Sequence, residues 1–308
     1  MSLYTELEEK RVILFEQYKK NRNKSYMFAI IGFVVAAVVV YIMSQTGNYD
    51  NSTSVIIILL VIIGITAIPF SIYNKKAKDL KKNFDNTIKN EIVNIVLKET
   101  LEDSSYNPQG YVPIETINSA GLVRRPDRFS GEDLITGSYN GVKFQVSDVD
   151  LKERHETRTK NGTIVTYRTY FKGRWYVYEF SKNFKQVLKI VERNSGTNTR
   201  ALKKFETEML EFNKKFSIYG SDEQFFYYVV NPYLIERLLI LENQHRGSIY
   251  YCINNNKLHI GINDNSDSLE VDFSVPINEQ TLKRFTEDIV LIKTIIEEFR
   301  LDDIKFTE

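Results

Sequence analysis

Two uncharged apolar runs near the start of the chain limit its fold more than any other feature. Met27–Met43 and Val55–Tyr73 contain no acidic or basic side chain over seventeen and nineteen residues. A helix needs about 20 mostly apolar residues to cross a hydrocarbon layer of about 30 Å, so both runs approach that length. The sequence therefore predicts two transmembrane helices.

The short linker between these runs determines how they pair. A cleaved signal peptide is the alternative for the first run, but about twenty-five mostly polar residues precede it and no small-residue cleavage site precedes the linker. Eleven linker residues, Ser44–Ser54, place the helices side by side and antiparallel. Gly32 and Ala36 supply a small-residue face on which Gly64 or Ala67 could pack. We expect a two-helix transmembrane hairpin over residues 26–73.

The charge of the flanking segments indicates the orientation. Residues 1–25 carry about +2 and residues 74–82 about +4, whereas the linker holds a single charged residue, Asp50. Because cytoplasmic flanks are enriched in Lys and Arg, both termini should face the cytoplasm of a plasma membrane. Residues 83–308 carry about −4, which argues against nucleic-acid binding by the folded domain.

Amphipathic segments flank the two spans. Residues 1–25 have an apolar stripe at Leu3, Leu7, Leu14 and Tyr18, and residues 74–104 have one at Leu80, Phe84, Ile88, Ile92 and Ile95. Helical spacing places each stripe on one side of a helix. The two helices could bury their stripes against each other as a juxtamembrane stalk. The alternative for residues 1–25 is a helix lying on the lipid surface.

The residue patterns of 105–308 are typical of an α+β domain built on an antiparallel sheet with flanking helices. These residues form either one domain or two lobes, 105–195 and 205–308. Asn140-Gly141 and Asn161-Gly162 are typical of tight hairpin turns. The remaining patterns predict strands at Arg168–Phe171, Trp175–Phe180, Val187–Val191 and Phe212–Tyr219. They also predict a hairpin at Ser248–Ile262 that turns at Asn254–Asn256. Helices are predicted at Asp222–Val229, from Pro232 onward, and at Glu279–Leu301.

The hairpin around Asn161-Gly162 is unusually polar. Charged residues, Arg154 and Arg158 among them, alternate with His155 and others so that charge falls on both faces. A ribbon with charge on both faces cannot be buried in a core, so its tip should protrude into solvent. We therefore single out Arg154, His155 and Arg158 as candidate interaction residues.

Candidate chemistry is sparse. The chain lacks the P-loop, nucleophile-elbow, zinc-protease and dinucleotide signatures. Glu132 and Asp133 follow Gly131 and could mark a catalytic or cation site, the alternative being a solvated turn. Lys172, Arg174 and Trp175, in Phe171–Trp175, could bind a flat or anionic ligand; the alternative is a glycine-containing hairpin followed by an aromatic core anchor.

The sequence predicts no cofactor and no metal. Its three histidines, His155, His245 and His259, are scattered, and metal ligands must converge in space. Cys252 is the one cysteine, which agrees with a reducing compartment. It lies in an apolar segment, which favours a small core residue over a nucleophile.

The order of several motifs resembles a bacterial membrane family known as domain-of-unknown-function family 3137. The matching features are the two-span hairpin, the helix Phe84–Leu101, Tyr106–Pro108, Arg128–Gly137, Gly141–Phe144, Phe171–Trp175, Glu211–Phe216 and Asn231–Pro232. The resemblance covers nearly the whole chain and implies membrane proteins without assigned catalytic residues. It also implies a partner of the LemA family of small membrane proteins.

These observations favour a non-catalytic interaction or scaffold module tethered to the membrane. Its partners would be the lipid bilayer and another membrane or cytoplasmic protein, with a homo-oligomer as a further candidate. The alternative is a membrane-associated enzyme with a carboxylate site at Glu132 and Asp133. A deep pocket with converging buried acids or histidines would favour the enzyme.

The predicted topology places residues 1–25 and 74–308 on the cytoplasmic side and Ser44–Ser54 outside. An impermeant thiol reagent applied to intact cells should label Asn51→Cys, because the linker would be exposed to the medium. The matched control is a cysteine at an exposed C-terminal site, which should stay unlabelled until the cells are opened. Labelling of the C-terminal site in intact cells would contradict the topology.

Overall fold

The structure is a computed structural model that describes residues 3–46, 52–101, 103–160, 162–192, 196–245, 247–270 and 272–307. It divides into two compact units. The first comprises Met1–Glu91 and Val271–Leu282, and the second comprises Ile92–Glu270 and Lys283–Glu308. We describe each unit by itself.

Long helices form most of the first unit. Helix α1 spans Leu3–Thr46, and α2 spans Ser52–Phe84 before a π-helical turn, Asp85–Lys89. The turn leads into α3, Asn90–Thr100, most of which belongs to the second unit. Two helical stretches, Thr5–Ile42 and Ile56–Thr100, are long and apolar enough to cross a membrane, with mean hydropathies of 2.4 and 2.6 in their most apolar windows. Length and composition thus agree with the two predicted spans. Residues 47–51 of the predicted linker lie outside the described residues.

One close approach joins α1 and α2. A Cβ on Gly32 would lie 2.6 Å from the Oγ1 atom of Thr66, so the contact requires a glycine. The predicted partners Gly64 and Ala67 are instead exposed, and a Cβ on Gly64 would meet no described atom within 4 Å. This corrects the predicted pairing. The reason is the helical rotation of about 100° per residue, which turns both positions away from the face that Thr66 occupies.

The amphipathic stripes are partly buried. Leu7, Phe84 and Ile88 are inaccessible to solvent. After Ile88 the buried face of α3 moves to Val93, Val96 and Leu97 as well as Ile92, and Ile95 is only half-buried. The π-helical turn explains this change, because one extra residue per turn shifts the phase of the stripe. The side chain of Leu3 lies outside the described residues.

A segment from far along the chain covers the N-terminal part of α1. The ring of Phe273 lies 5.3 Å from that of Phe15 and 4.4 Å from that of Phe84. The buried Arg11 guanidinium donates to the Phe273 carbonyl at 3.0 Å and pairs with Glu8 at 2.6 Å. Glu8 also accepts a hydrogen bond from the Ile277 amide at 2.7 Å. The N-terminal part of α1 thus packs against other residues of the first unit. The packing of residues 272–278 here was not predicted from the sequence.

The second unit is an α+β fold built on one seven-stranded antiparallel sheet, which confirms the predicted class. The strand order is β1-β2-β3-β4-β6-β5, and β7 also pairs with β4. The strands are β1 (Asp103–Asn107), β2 (Arg128–Tyr139), β3 (Val142–Thr159), β4 (Gly162–Glu192), β5 (Lys203–Phe205), β6 (Phe216–Gly220) and β7 (Ser248–Asn263). Strands from both expected lobes share this sheet.

Helices flank the sheet where local signals predicted several of them. They are α4 (Ile114–Ala120), α5 (Leu210–Lys215), α6 (Glu223–Val229), α7 (Pro232–Gln244), α8 (Glu279–Glu298) and α9 (Ile304–Thr307). Asp222 caps α6 by accepting from the Phe225 amide at 2.7 Å, and Asn231 caps α7 by accepting from the Leu234 amide at 2.9 Å. Such caps satisfy helix amides that have no partner inside the helix.

The predicted Asn140-Gly141 turn is confirmed. It joins β2 and β3, and its two residues have φ angles of 49° and 79°. A tight primed turn requires positive φ at both central positions, which Asn and Gly tolerate best. The second predicted turn joins β3 and β4, but its Asn161 lies outside the described residues.

Two predicted elements differ. Phe212–Lys215 is helical rather than extended, and Phe212 stacks on Phe216 at 4.8 Å, a contact that four-residue spacing allows in a helix. Ser248–Ile262 is not a hairpin, because both halves of β7 pair with β4. Asn255, with φ 55°, bends the strand where β4 carries extra residues between Glu179 and Val187.

The strands predicted at Arg168–Phe171, Trp175–Phe180 and Val187–Val191 are parts of β4 alone. Its middle section contributes Phe171 and Trp175 to the buried core, beside Cys252. Cys252 is fully buried, and burial raises the pKa of its thiol to about 12. A thiol that stays protonated at neutral pH is a poor nucleophile, which supports the core assignment.

Candidate docking surface

The extension of β3 and β4 beyond the rest of the sheet is the most exposed ordered feature of the second unit. We call residues 153–168 the ribbon. Its strands pair from Glu153–Arg168 to Thr159–Gly162. Strand β2 pairs with β3 only as far as Lys152, and β7 pairs with β4 only from Arg174 onward. Among the described residues, the ribbon therefore has no third strand.

None of the described ribbon side chains is buried. Ile164 and Val165, near the tip, are 54% and 40% exposed. An isolated two-stranded ribbon is at best marginally stable in water, so contacts at its base must help to hold it. It contributes little apolar burial to the core.

Two arginines, Arg124 in the loop before β2 and Arg128 at the first position of β2, hold the base of the ribbon. The Arg128 guanidinium lies 3.6 Å from the centre of the Tyr167 ring, and that of Arg124 lies 5.0 Å from the centre of the Tyr170 ring. The Tyr170 hydroxyl donates to the Arg124 carbonyl at 2.6 Å, and Arg124 also pairs with Glu153. Cation–aromatic contacts of this kind are favourable even when exposed. This support was not predicted from the sequence, although the Arg-Arg-Pro-Asp-Arg run at 124–128 was a visible signal.

Charge is distributed over both faces and the tip of the ribbon. Because side chains alternate along a strand, Arg154, Arg158, Val165 and Tyr167 lie on one face, and His155, Ile164 and Arg168 lie on the other. Arg154 pairs with Glu156 at 2.6 Å. The His155 ring, 2.8 Å from Glu153, lowers the pKa of that carboxyl. In the described part of the chain, Arg158, Lys160 and Arg168 form no ion pair.

The ribbon is positive within an otherwise acidic domain. Residues 124–128 and 152–168 together carry a net charge of +5, whereas residues 83–308 as a whole carry −4. Most acidic residues of the domain therefore lie elsewhere. This separation of charge makes the ribbon and its base a basic surface.

Glu132 and Asp133 lie away from the ribbon tip, at an irregularity in β2. Asp133 is 3% exposed with φ 60°, and it accepts a hydrogen bond from the Tyr106 hydroxyl at 2.5 Å. The Asp133 amide donates to the Pro108 carbonyl at 3.2 Å. Burial and the Asp133 carboxylate raise the pKa of Tyr106. Asp133 thus anchors β1 and its turn to β2.

Glu132 lines a shallow cleft of about 200 Å³. The other charged lining residues are Asp148, Asp150, Lys172 and Asp267. Lys172 pairs with Asp267 at 2.9 Å, and Asp148 accepts from the Arg174 Nε at 3.2 Å and the Ser268 amide at 2.9 Å. These contacts engage several of the cleft's charges with one another. Within the described residues, no group of three or more His, Cys, Asp or Glu side chains could hold a metal ion.

Arg174 and Trp175 belong to the core. They are 3% and 0% exposed, so a partner bound at the surface cannot contact them directly. Burial alone would lower the pKa of Arg174, and the Asp148 carboxylate raises it instead, which keeps the guanidinium charged. Gly173 has φ 149°, and a Cβ there would lie 2.1 Å from the Ile262 carbonyl oxygen, so only glycine fits. Phe171–Trp175 is therefore an irregular point within β4 and not a hairpin.

His259 illustrates how the core constrains a histidine. The Trp175 indole Nε1 donates to His259 Nδ1 at 3.5 Å, and His259 Nε2 has no hydrogen-bond partner among the described residues. Burial lowers the pKa of His259 to about 3 and also lowers the pKa of His245. A histidine that stays neutral under these constraints serves packing better than proton transfer.

The depressed pKa of His259 predicts a pH dependence of stability. Between about pH 6.5 and pH 3 the unfolded chain binds a proton that the folded chain does not, so the free energy of unfolding falls by about 1.4 kcal/mol per pH unit as the pH drops. His259→Gln should reduce the slope in denaturant titrations of the full chain by about this contribution, while the shifted carboxyl groups keep theirs. His155→Gln, at an exposed position, is the control and should retain it. Equal slopes in wild type and His259→Gln would contradict the assignment.

Comparison with known proteins finds a similar family for part of this chain. A family model described as "Protein of unknown function (DUF3137)" matches residues 169–301. No curated protein matches. A crystal structure of the mycobacterial trehalose monomycolate transport factor A, TtfA, is similar at 7% identity and a TM-score of 0.38, covering 66% of this chain and 95% of that one.

The family match confirms the resemblance drawn from the sequence over a shorter range than the motifs suggested. Lys172, Arg174 and Trp175 lie inside that range, whereas the ribbon precedes it. The part of the chain that matches the model of the family described as "Protein of unknown function (DUF3137)" is therefore residues 169–301.

Proposed function

We propose that this is an integral membrane protein whose two spanning helices form an antiparallel hairpin and tether the α+β domain at the cytoplasmic face of a bacterial plasma membrane. Three contacts support antiparallel packing. Lys10 lies 4.0 Å from Glu91, Phe28 stacks on Tyr73 at 5.8 Å, and Gly32 approaches Thr66. Successive positions of α1 thus meet earlier positions of the later helix. The basic flanks support the orientation.

The proposed role of the domain is that of a non-catalytic interaction or scaffold module. The ribbon carries this proposal, because it is an ordered, basic extension without a third strand in the described structure. Strand pairs that bury little apolar surface add little to stability, so an ordered one invites a functional explanation. Arg154, His155 and Arg158 are its proposed contact residues.

A protein partner fits this role. The resemblance of the sequence nominates a small membrane protein of the LemA family, and a second copy of the chain is another candidate. Glu156 and Glu153 are engaged by Arg154, His155 and Arg124, so the cations that form no ion pair would dominate recognition. The partner surface should accordingly be acidic.

The shallow cleft supports a second candidate function, an enzyme that uses Glu132. Asp150 and Lys172 line the same cleft, so an acid and an ammonium group lie near this carboxylate. A cleft that opens widely to solvent and lacks converging histidines is a weaker catalytic site than a deep pocket. The module is therefore the better-supported proposal.

Deleting Glu153–Arg168, with Asn-Gly joining Lys152 to Thr169, should abolish recovery of a co-purifying protein or of anionic lipid. Thermal unfolding of the full chain in polymer nanodiscs should change by only a few degrees, because the ribbon buries little apolar surface. Affinity purification followed by mass spectrometry measures the recovery. The matched control keeps length and charge by Arg154→Lys, Arg158→Lys and Arg168→Lys, and it should retain partners that recognise the ribbon by charge.

Two results would overturn the proposal. A collapse of thermal stability would mean that the ribbon belongs to the core. Unchanged stability with unchanged recovery of every co-purifying protein and of anionic lipid would mean that the ribbon has no docking role, and attention would move to Glu132 and its cleft.

A further inference from the structure

The tip and edges of the ribbon combine free cations with exposed aliphatic side chains. We propose that the ribbon binds anionic lipid headgroups of the same bilayer that anchors the protein. This inference rests on the proposed docking role and specifies what the ribbon docks onto.

Charge supplies the first argument. Arg158, Lys160 and Arg168 form no ion pair among the described residues, and the ribbon with its base carries +5 in a domain of −4. Each Lys or Arg near an anionic membrane surface adds to the electrostatic attraction between protein and lipid. The acidic remainder of the domain is repelled by the same surface, so the charge separation would select the ribbon as the lipid-facing part.

The apolar tip supplies the second argument. Ile164 and Val165 are 54% and 40% exposed, and they follow the turn that begins at Lys160. Basic residues beside exposed aliphatic residues suit the boundary between headgroups and acyl chains, where both can be satisfied. Tyr167, half-buried under Arg128, adds an aromatic ring at the base.

The distribution of cations favours lipid over an acidic protein. Arg158 lies on one face of the ribbon, Arg168 on the other, and Lys160 at the turn. A groove on a protein would engage one face, whereas headgroups can surround a ribbon that enters them end-on. Tethering adds to this preference, because a covalently anchored domain meets its own bilayer at high effective concentration.

A single introduced cysteine can test the proposal on the full chain. The native Cys252 is fully buried, so an environment-sensitive fluorophore should react selectively with Thr163→Cys at the ribbon tip. The labelled protein is placed in zwitterionic nanodiscs and in nanodiscs containing anionic lipid. We expect a blue shift only with anionic lipid, reversed by 1 M salt, which shortens the screening length to about 3 Å. A label at Glu223→Cys, exposed on α6, should not respond.

Matched charge variants sharpen the test. Arg158→Gln, Lys160→Gln and Arg168→Gln together should abolish the shift. The control combines Arg200→Gln, Lys203→Gln and Lys204→Gln, which removes the same charge from exposed positions at β5 and should preserve it. The absence of a shift, or an equal shift in both lipids, would overturn the proposal.

If the fluorophore at the ribbon tip responds only when anionic vesicles are added, the ribbon binds a second membrane and not the bilayer that anchors the protein. That result would also overturn the proposal. Failure here is distinguishable from failure of the docking role itself. If the label is silent while deletion of the ribbon still removes a co-purifying protein, the lipid inference falls and the module stands. If deletion also changes no recovery, both fall.

Discussion

The pairing of β4 is the constraint on which the second unit depends. Between Arg174 and Val191 this strand pairs with β7, with two register shifts, and its last residues also pair with β6. Its first residues, up to Arg168, pair only with β3 among the described strands. One continuous strand therefore passes from an exposed ribbon into the core. The ribbon is held in place by the strand it extends, without needing a core of its own.

The burial of this section of β4 explains why Phe171–Trp175, a candidate ligand site by its sequence, has a structural role. Arg174 is charged and nearly inaccessible, and Asp148 provides its counter-charge. Removing one partner of such a pair leaves an uncompensated buried charge, at a cost of about 3–5 kcal/mol. Trp175 and the required Gly173 fit the same site, so Phe171–Trp175 serves the packing of β4 against β7. The exposed arginines of the ribbon are solvated and do not need a buried counter-charge.

Features fixed by local chemistry could be predicted from the sequence. The two apolar runs, the Asn140-Gly141 turn and the caps of α6 and α7 depend on neighbouring residues alone. Long-range features could not. Pairing of both halves of β7 with β4, and docking of Phe273 near Phe15, join residues far apart in the chain. The exposed ribbon was predictable because charge on both faces excludes burial, whereas its arginine-supported base required the fold.

Hydrogen–deuterium exchange of the full chain in zwitterionic nanodiscs tests the central claim most directly, namely that the ribbon is ordered but independent of the core. Amides of residues 153–168 lack a third strand and should exchange much faster than those of residues 174–179, which pair on both sides. The account predicts this sharp difference within one strand. Equal protection of both segments would contradict it, because the ribbon would then already be covered by another part of the protein or by a second copy.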